Sequence, residues 1–188
     1  MSTKITKINK SKNKPLVIFD LNGVLCYRHD DDTMDCDFVV EGRSIVLRPG
    51  CRDLLEEMYK NYDIGFFTSM TAKNGLPLLK TMLSRTQLSK TKIMWFRDRT
   101  RIDWENEGYK TVKNLVDIVD NPINNWDNKL KLQDILIIDD DRVKVRFNNP
   151  DNYLIIDSFT GDPTDDCLLN LPTLIAEKIE LLQSGVAL

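Results

Sequence analysis

The chain has 188 residues, 41% of them hydrophobic and 29% charged, and a formal net charge of -3. That describes one globular domain with enough apolar residues for a substantial core, and it gives no general case for nucleic-acid binding. No apolar run nears the roughly 18 residues of a membrane span, and the N-terminus lacks a signal-peptide core. Cys26, Cys36, Cys51, Cys167 and the single histidine, His29, lack zinc-ligand spacing, so free thiols in a reducing compartment, cytoplasmic or nuclear, are expected.

Residues 1–14 are polar and basic, with Lys4, Lys7, Lys10, Lys12 and Lys14 dispersed through them. They read as a solubilising tail ahead of a single domain over 15–188, with recognition of an anionic partner or a localisation signal as the alternative. Leu16-Val17-Ile18-Phe19 is a continuous apolar run that reads as a strand buried on both faces, and it ends at Asp20. Asn22-Gly23 supplies turn chemistry after it. Tyr27 to Asp37 shows no pattern that buries a face, so Asp30-Asp31-Asp32 and an exposed His29 are expected in a solvated loop. Phe38–Val40 and Ser44–Leu47, around Glu41-Gly42-Arg43, read as a hairpin.

After Arg48-Pro49-Gly50, the apolar stripe Leu54, Leu55, Met58 and Tyr59 predicts a helix. Ile64 to Phe67 predicts the next buried strand, ending at Thr68-Ser69. A helix is expected from Thr71 to Ser84, its Pro77 tolerable near the first turn. Ile93 to Phe96 predicts a third strand, followed by the charged stretch Arg97 to Arg101. Lys113 precedes a short helix marked by Leu115, Val116 and Val119, and Asp120 to Lys131 reads as a loop. Ile135–Ile138, ending at Asp139-Asp140-Asp141, and Tyr153–Ile156 are the last strands. Pro172 is read as opening a final helix through Leu182. Strands alternating with helices over one domain predict an α/β fold with a doubly wound, mainly parallel sheet, a hairpin insertion and no large cap domain.

In such a sheet, ligands bind at the carboxyl ends of the strands. Asp20, Thr68 and the acidic run at 139–141 all fall at strand ends, and Lys113 falls ahead of a helix. A carboxylate, a hydroxyl, an ammonium and an acidic cluster suit Mg²⁺ and a phosphoryl group.

Those residues, in that order, resemble the haloacid dehalogenase superfamily. More narrowly, the chain resembles the phosphatases acting on the RNA polymerase II C-terminal domain. The narrower likeness rests on Val46-Leu47-Arg48-Pro49, Phe67-Thr68-Ser69, Ala72-Lys73, Phe96-Arg97, Lys113-Asn114-Leu115, Ile137-Ile138-Asp139-Asp140 and Pro150-Asp151-Asn152. The resemblance spans residues 16 to about 157. It implies that Asp20 is a nucleophile forming an aspartyl-phosphate, with Thr68, Ser69, Lys113 and Arg97 toward the phosphate or substrate. It implies Mg²⁺ held by Asp20, Asp139 and the backbone carbonyl of Asn22, with Asp140 in the outer coordination shell.

The chain departs from that family at one position of consequence. The second aspartate of the first motif, the general acid and base, is Asn22 here. An amide keeps the loop shape but neither gives nor takes the proton, and such help is typically worth about 10²–10⁴-fold. A natural pseudophosphatase, a slow enzyme using another acid such as Asp140 or Asp141, and a substrate trap all fit. Response-regulator receivers also combine Asp, Thr and Lys around Mg²⁺, but there the acidic pair follows the first strand, whereas here it follows a late one. The short span between the first motif and Arg48 leaves no room for a lid. An open site implies a phosphoprotein or phosphopeptide substrate, with the Trp95–Tyr109 segment, including Trp104, Arg99 and Arg101, as one wall of its groove.

Overall fold

The structure is a computed structural model that describes residues 14–30, 35–104, 111–125 and 130–184. Its centre is a five-stranded parallel sheet in the order β10-β9-β1-β5-β6. The strands are β1 (Leu16–Phe19), β5 (Asp63–Phe67), β6 (Ile93–Trp95), β9 (Ile135–Asp139) and β10 (Tyr153–Ile155). β1 lies in the middle, paired in parallel with β5 on one side and β9 on the other. The chain winds outward from β1 through β5 to β6, then returns to build β9 and β10 on the opposite side. The reversal puts the switch point at the carboxyl ends of β1 and β9.

Side-chain alternation divides the core into two layers. Val17, Phe19, Ile64, Phe66, Leu136 and Ile138 join the cluster that packs against α1 (Cys51–Asn61), α2 (Ala72–Met82) and α6 (Cys167–Ser184). Leu16, Ile18, Phe67, Ile135 and Ile137 join the other cluster, with Leu115 and Ile118 of α4 (Leu115–Val119) and Val145 of α5 (Arg142–Val145). Helices on both faces make this the doubly wound arrangement expected from the sequence.

Five local expectations are corrected. The stretch after the first motif is not all loop: β2 (Cys26–His29) pairs antiparallel with β4 (Arg43–Leu47), which also pairs with β3 (Phe38–Val40), so the insertion is a three-stranded sheet. His29 is buried there and stacks on Tyr27 at 5.3 Å between ring centroids, rather than being solvent-exposed. The helix expected over 71–84 ends at Met82, and α3 (Arg85–Lys90) follows, opened by a capping box between Ser84 and Gln87. Pro172 lies inside α6, which starts at Cys167 behind Asp165, whose carboxylate accepts from the Cys167 N–H at 3.2 Å. A carboxylate at the helix start supplied the N-terminal signal that the proline had suggested.

Pro77 also lies beyond the first turn of α2. Gly75 of the same helix has a packing reason: a Cβ there would meet the Phe96 ring at 2.6 Å. The remaining short strands, β7 (Arg101–Ile102) and β8 (Thr111–Val112), pair antiparallel and bring the chain to Lys113. The tail at 1–13, Asp31, Asp32, residues 105–110 and residues 126–129 of the expected loop lie outside the described residues. Lys14 donates to the Lys60 carbonyl at 2.8 Å, at the end of α1. No helix among the described residues is long and apolar enough to cross a membrane.

Candidate active site

The parity of the two central strands aims the acids. Asp20 comes two residues after Ile18 and Asp139 two after Ile137, so both share the face that carries α4 and α5. Register places Phe19 beside Ile138, so the two acids emerge side by side at the switch point. Lys113 comes to them from the end of β8, its backbone N–H bonded to the Lys144 carbonyl at 2.7 Å. Asn148 fixes the next turn, donating to the Lys113 carbonyl and accepting from Leu115 N–H.

Lys113 is fully buried, and its ammonium lies 2.7 Å from Asp20 Oδ2 and 2.6 Å from Asp139 Oδ2. Burial opposes that charge, but Asp20 and Asp139 outweigh it and its pKa is raised. Asp139 is pushed up to about 6, first by burial and then by the nearby Asp20 carboxylate, with Lys113 pulling the other way. The other oxygen of each acid takes a backbone N–H: Leu21 to Asp20 Oδ1 at 2.7 Å, and Asp141 to Asp139 Oδ1 at 2.9 Å.

Asp140 completes the cluster, with one carboxylate oxygen each from Asp20, Asp139 and Asp140 within 4.8 Å of one another. Ser158 donates to Asp140 Oδ2 at 2.6 Å, while Oδ1 is buried without a hydrogen-bond partner among the described residues. Gly23 makes the close approach possible. Its φ is +87°, and a Cβ there would stand 2.1 Å from Asp140 Oδ2. A buried carboxylate oxygen with no donor, inside a set of three acids facing one ammonium, suits a hard cation with oxygen ligands.

A cleft of about 300 Å³ opens beside these groups. Asp20, Asn22, Thr68, Ser69 and Arg97 line it, so the structure brings five of the sequence-predicted residues to one surface. Asp139 and Asp140 stand just behind it. Thr68 is buried, its hydroxyl accepting weakly from Met70 N–H at 3.3 Å, and Ser69 shares a 2.5 Å hydrogen bond with Thr111. Asn22 is exposed and holds the start of β2 by accepting the Arg28 N–H on Oδ1 at 2.8 Å. Trp95 is core: it packs on Phe67 and donates from its indole to the Arg99 carbonyl. Of the arginines in the expected wall, Arg97 reaches the cleft, whereas Arg101 pairs with Asp117.

Sequence reasoning missed Lys144 and Arg28, which also line the cleft. Lys144 sits in α5, three residues after the acidic run, and the basic residues Arg142 and Lys144 behind 139–141 were the available signal. Arg28 went unnoticed because β2 did. The role of Arg48 is clear only in three dimensions. Its guanidinium is buried, bonded to both oxygens of Asp165 at 2.7 and 2.8 Å and to the Asp157 carbonyl at 2.9 Å. It ties the chain after β10 beneath the loop that carries Gly23.

Residues 15–184 match the family model of the NLI interacting factor-like phosphatases. Among curated proteins, the chain is 28% identical over 178 residues to nuclear envelope morphology protein 1 of Saccharomyces cerevisiae, covering 87% of this chain and 39% of that protein. Among solved structures it resembles the RNA polymerase II CTD phosphatase Fcp1. The match to the fission yeast protein bound to beryllium fluoride has a TM-score of 0.53 at 14% identity, covering 94% of this chain and 53% of that one. A second Fcp1 structure gives 0.55 at 16% identity, covering 94% and 52%. The chain thus spans about two fifths of its curated relative and about half of each structure it resembles.

Proposed function

The chain belongs to the NLI interacting factor-like phosphatase family, and from that premise we propose that residues 15–188 form one phosphatase unit for phosphoprotein segments, acting through an aspartyl-phosphate at Asp20 with Mg²⁺. The observation that carries this reading is the convergence of Asp20, Asp139 and Asp140 at the switch point of the sheet, with the Lys113 ammonium between the first two and Thr68 lining the same cleft as Asp20. The family and the Fcp1 structures are described as phosphatases, and the cleft has no lid domain among the described residues, which favours a phosphate carried on a large partner. A cytoplasmic or nuclear location, suggested also by the relative's name, belongs to the same reading.

Asp20 attacks the phosphorus, and the bond to the serine or threonine oxygen breaks, that oxygen taking its proton from solvent in the open cleft because Asn22 has none to give. Thr68 holds a phosphoryl oxygen, and Lys113 offsets the charge of the nucleophile and of Asp139. Water then attacks the phosphorus of the aspartyl-phosphate and frees Asp20. Asp20, the carbonyl of Asn22 and the Asp139–Asp140 pair would hold Mg²⁺, which when bound neutralises charge that would otherwise repel a carboxylate from a phosphate. Both oxygens of Asp139 are engaged, whereas Asp140 Oδ1 lacks a donor. That difference favours Asp140 as a direct ligand beside Asp20 and Asp139, a change from the outer-shell place the resemblance implied for Asp140.

The same surface supports a second reading, an inactive phosphoprotein-binding module. The amide at position 22 has no proton for the leaving oxygen, and its Oδ1 is already occupied by the Arg28 N–H. Turnover of an aryl phosphate with and without Mg²⁺, compared between this chain and Asn22→Asp, separates the two. The binding-module reading expects near-absent turnover that rises about 10²-fold or more with aspartate. Phosphopeptide turnover by the chain as it stands at roughly 1 s⁻¹ or above would overturn it.

A further inference from the structure

The two lysines near Asp20 are in different situations. Lys113 is fully buried, its ammonium held at 2.7 and 2.6 Å between two carboxylates, and it does not line the cleft. Lys144 does line the cleft, its side chain about a fifth exposed, and its Nζ stands 3.8 Å from Asp20 Oδ2, beyond hydrogen-bonding reach. Its position is built from both directions. The Asp141 side chain accepts the Val143 N–H at 2.9 Å and starts α5, while the Lys144 carbonyl accepts the Lys113 N–H at 2.7 Å. The second lysine is therefore fixed to the backbone of the first, with its ammonium on the open side of Asp20.

We propose that Lys144 is a further phosphate-binding residue of this chain: its ammonium makes a direct contact with the substrate's phosphoryl oxygens, in addition to Lys113, in the cleft that Thr68 also lines. Lys113 meanwhile holds Asp20 and Asp139 together. The charges fit a phosphate dianion. The ionisable side chains lining the cleft are Asp20 against Arg28, Arg97 and Lys144, and position 22 adds no negative charge. A hydrogen bond from an ammonium to a phosphate oxygen is a charge-assisted one, among the stronger contacts a site can offer. An ammonium 3.8 Å from the nucleophile is also well placed for an oxygen of a phosphoryl group seated against it. Lys113, with two of its three N–H donors on Asp20 and Asp139, has one left for the substrate, whereas the Lys144 ammonium makes no hydrogen bond to Asp20.

The inference rests on the proposed phosphatase reading, and the test separates the two. Inorganic phosphate is titrated calorimetrically into the full chain with Mg²⁺ present, for the parent, Lys144→Met and Lys144→Arg, with the thermal midpoint of each measured alongside. The expected result is phosphate affinity about 10-fold or more weaker in Lys144→Met, within a few-fold of the parent in Lys144→Arg, and unchanged thermal midpoints, since the ammonium makes no hydrogen bond to Asp20. Phosphate binding by the parent with equal affinity in Lys144→Met would overturn the assignment of Lys144 and leave the phosphatase reading standing. No phosphate binding by the parent would overturn that reading and this inference with it. Loss in both variants together with lowered midpoints would show Lys144 to be structural and also overturn the inference.

Discussion

Two buried charged centres stand a short distance apart in this chain, and they are built to different rules. At Arg48 the ledger of donors and acceptors closes: the guanidinium meets both oxygens of Asp165 and the Asp157 carbonyl, and Asp165 is held below the ordinary aspartate range chiefly by its hydrogen bonds from Arg48. At Lys113 it does not close. Three acids share one buried ammonium that pairs with two of them, an oxygen of Asp140 has no donor among the described residues, and Asp139 is pushed upward. A charge buried for structure is satisfied on the spot, whereas one buried for chemistry is left wanting a ligand. Without the second centre the first would read as an ordinary core ion pair.

The contrast is sharpest when each cation is removed. Lys113→Met leaves two buried carboxylates facing each other and should cost about 3–5 kcal/mol in chemical denaturation, with part of the loss recovered on adding Mg²⁺. Arg48→Met should cost nearer about 3 kcal/mol, because Asp165 keeps some solvent, and Mg²⁺ should restore none of it. Equal losses, both blind to Mg²⁺, would erase the distinction between the centres.

Removing an acid should act in opposite directions. Asp140→Asn places an amide where an oxygen lacks a donor, so the metal-free protein should be unchanged or more stable by up to about 1 kcal/mol, while calorimetric heat on adding Mg²⁺ is lost. Asp165→Asn should destabilise. A stability loss in Asp140→Asn without metal would mean that its acid is structural after all.

The smallest effect is in pH. The folded-state pKa of Asp139 is raised from 3.8 to about 6, so in metal-free protein its contribution to stability is full below 3.8 and is lost as pH rises through 6. Asp165 is shifted downward, so its contribution is present above 3.8 and is lost as pH falls below that value. Denaturation midpoints against pH should therefore show the Asp139 slope abolished in Asp139→Asn and the acid-side fall flattened in Asp165→Asn.

The parts of this site that lie on continuous apolar strands were legible in the sequence. Leu16–Phe19 and Ile135–Ile138 can be little else than buried strands, and an aspartate at the end of each follows from reading along. Thr68 follows in the same way from the end of Ile64–Phe67 and Lys113 from its place ahead of a helix, and the resemblance supplied their roles. What stayed hidden depends on pairing over distance. β2 alternates too weakly to stand out, and only its ladder with β4 makes it a strand, so Arg28 and the burial of His29 were missed together. Asp165 caps α6 and clasps Arg48 from 117 residues away, a partnership that no local pattern announces. Pro172 misled because proline marks first turns often enough to be trusted there.

The hydrogen bonds around position 22 also set its chemical lifetime. Asparagine followed by glycine is the pair in which a backbone nitrogen meets least hindrance in attacking the side-chain amide; ammonia leaves, and water then opens the ring to a carboxylate. Here the Gly23 N–H is bonded to the Cys26 carbonyl at 2.8 Å, and the amide oxygen of Asn22 is bonded to the Arg28 N–H. Both bonds must break before the ring can form, so folded protein should deamidate more slowly than denatured protein. Stored samples that do convert will carry a mixture of isoaspartate and the very aspartate this chain lacks, and freshly prepared protein checked by mass is the material on which its turnover should be judged.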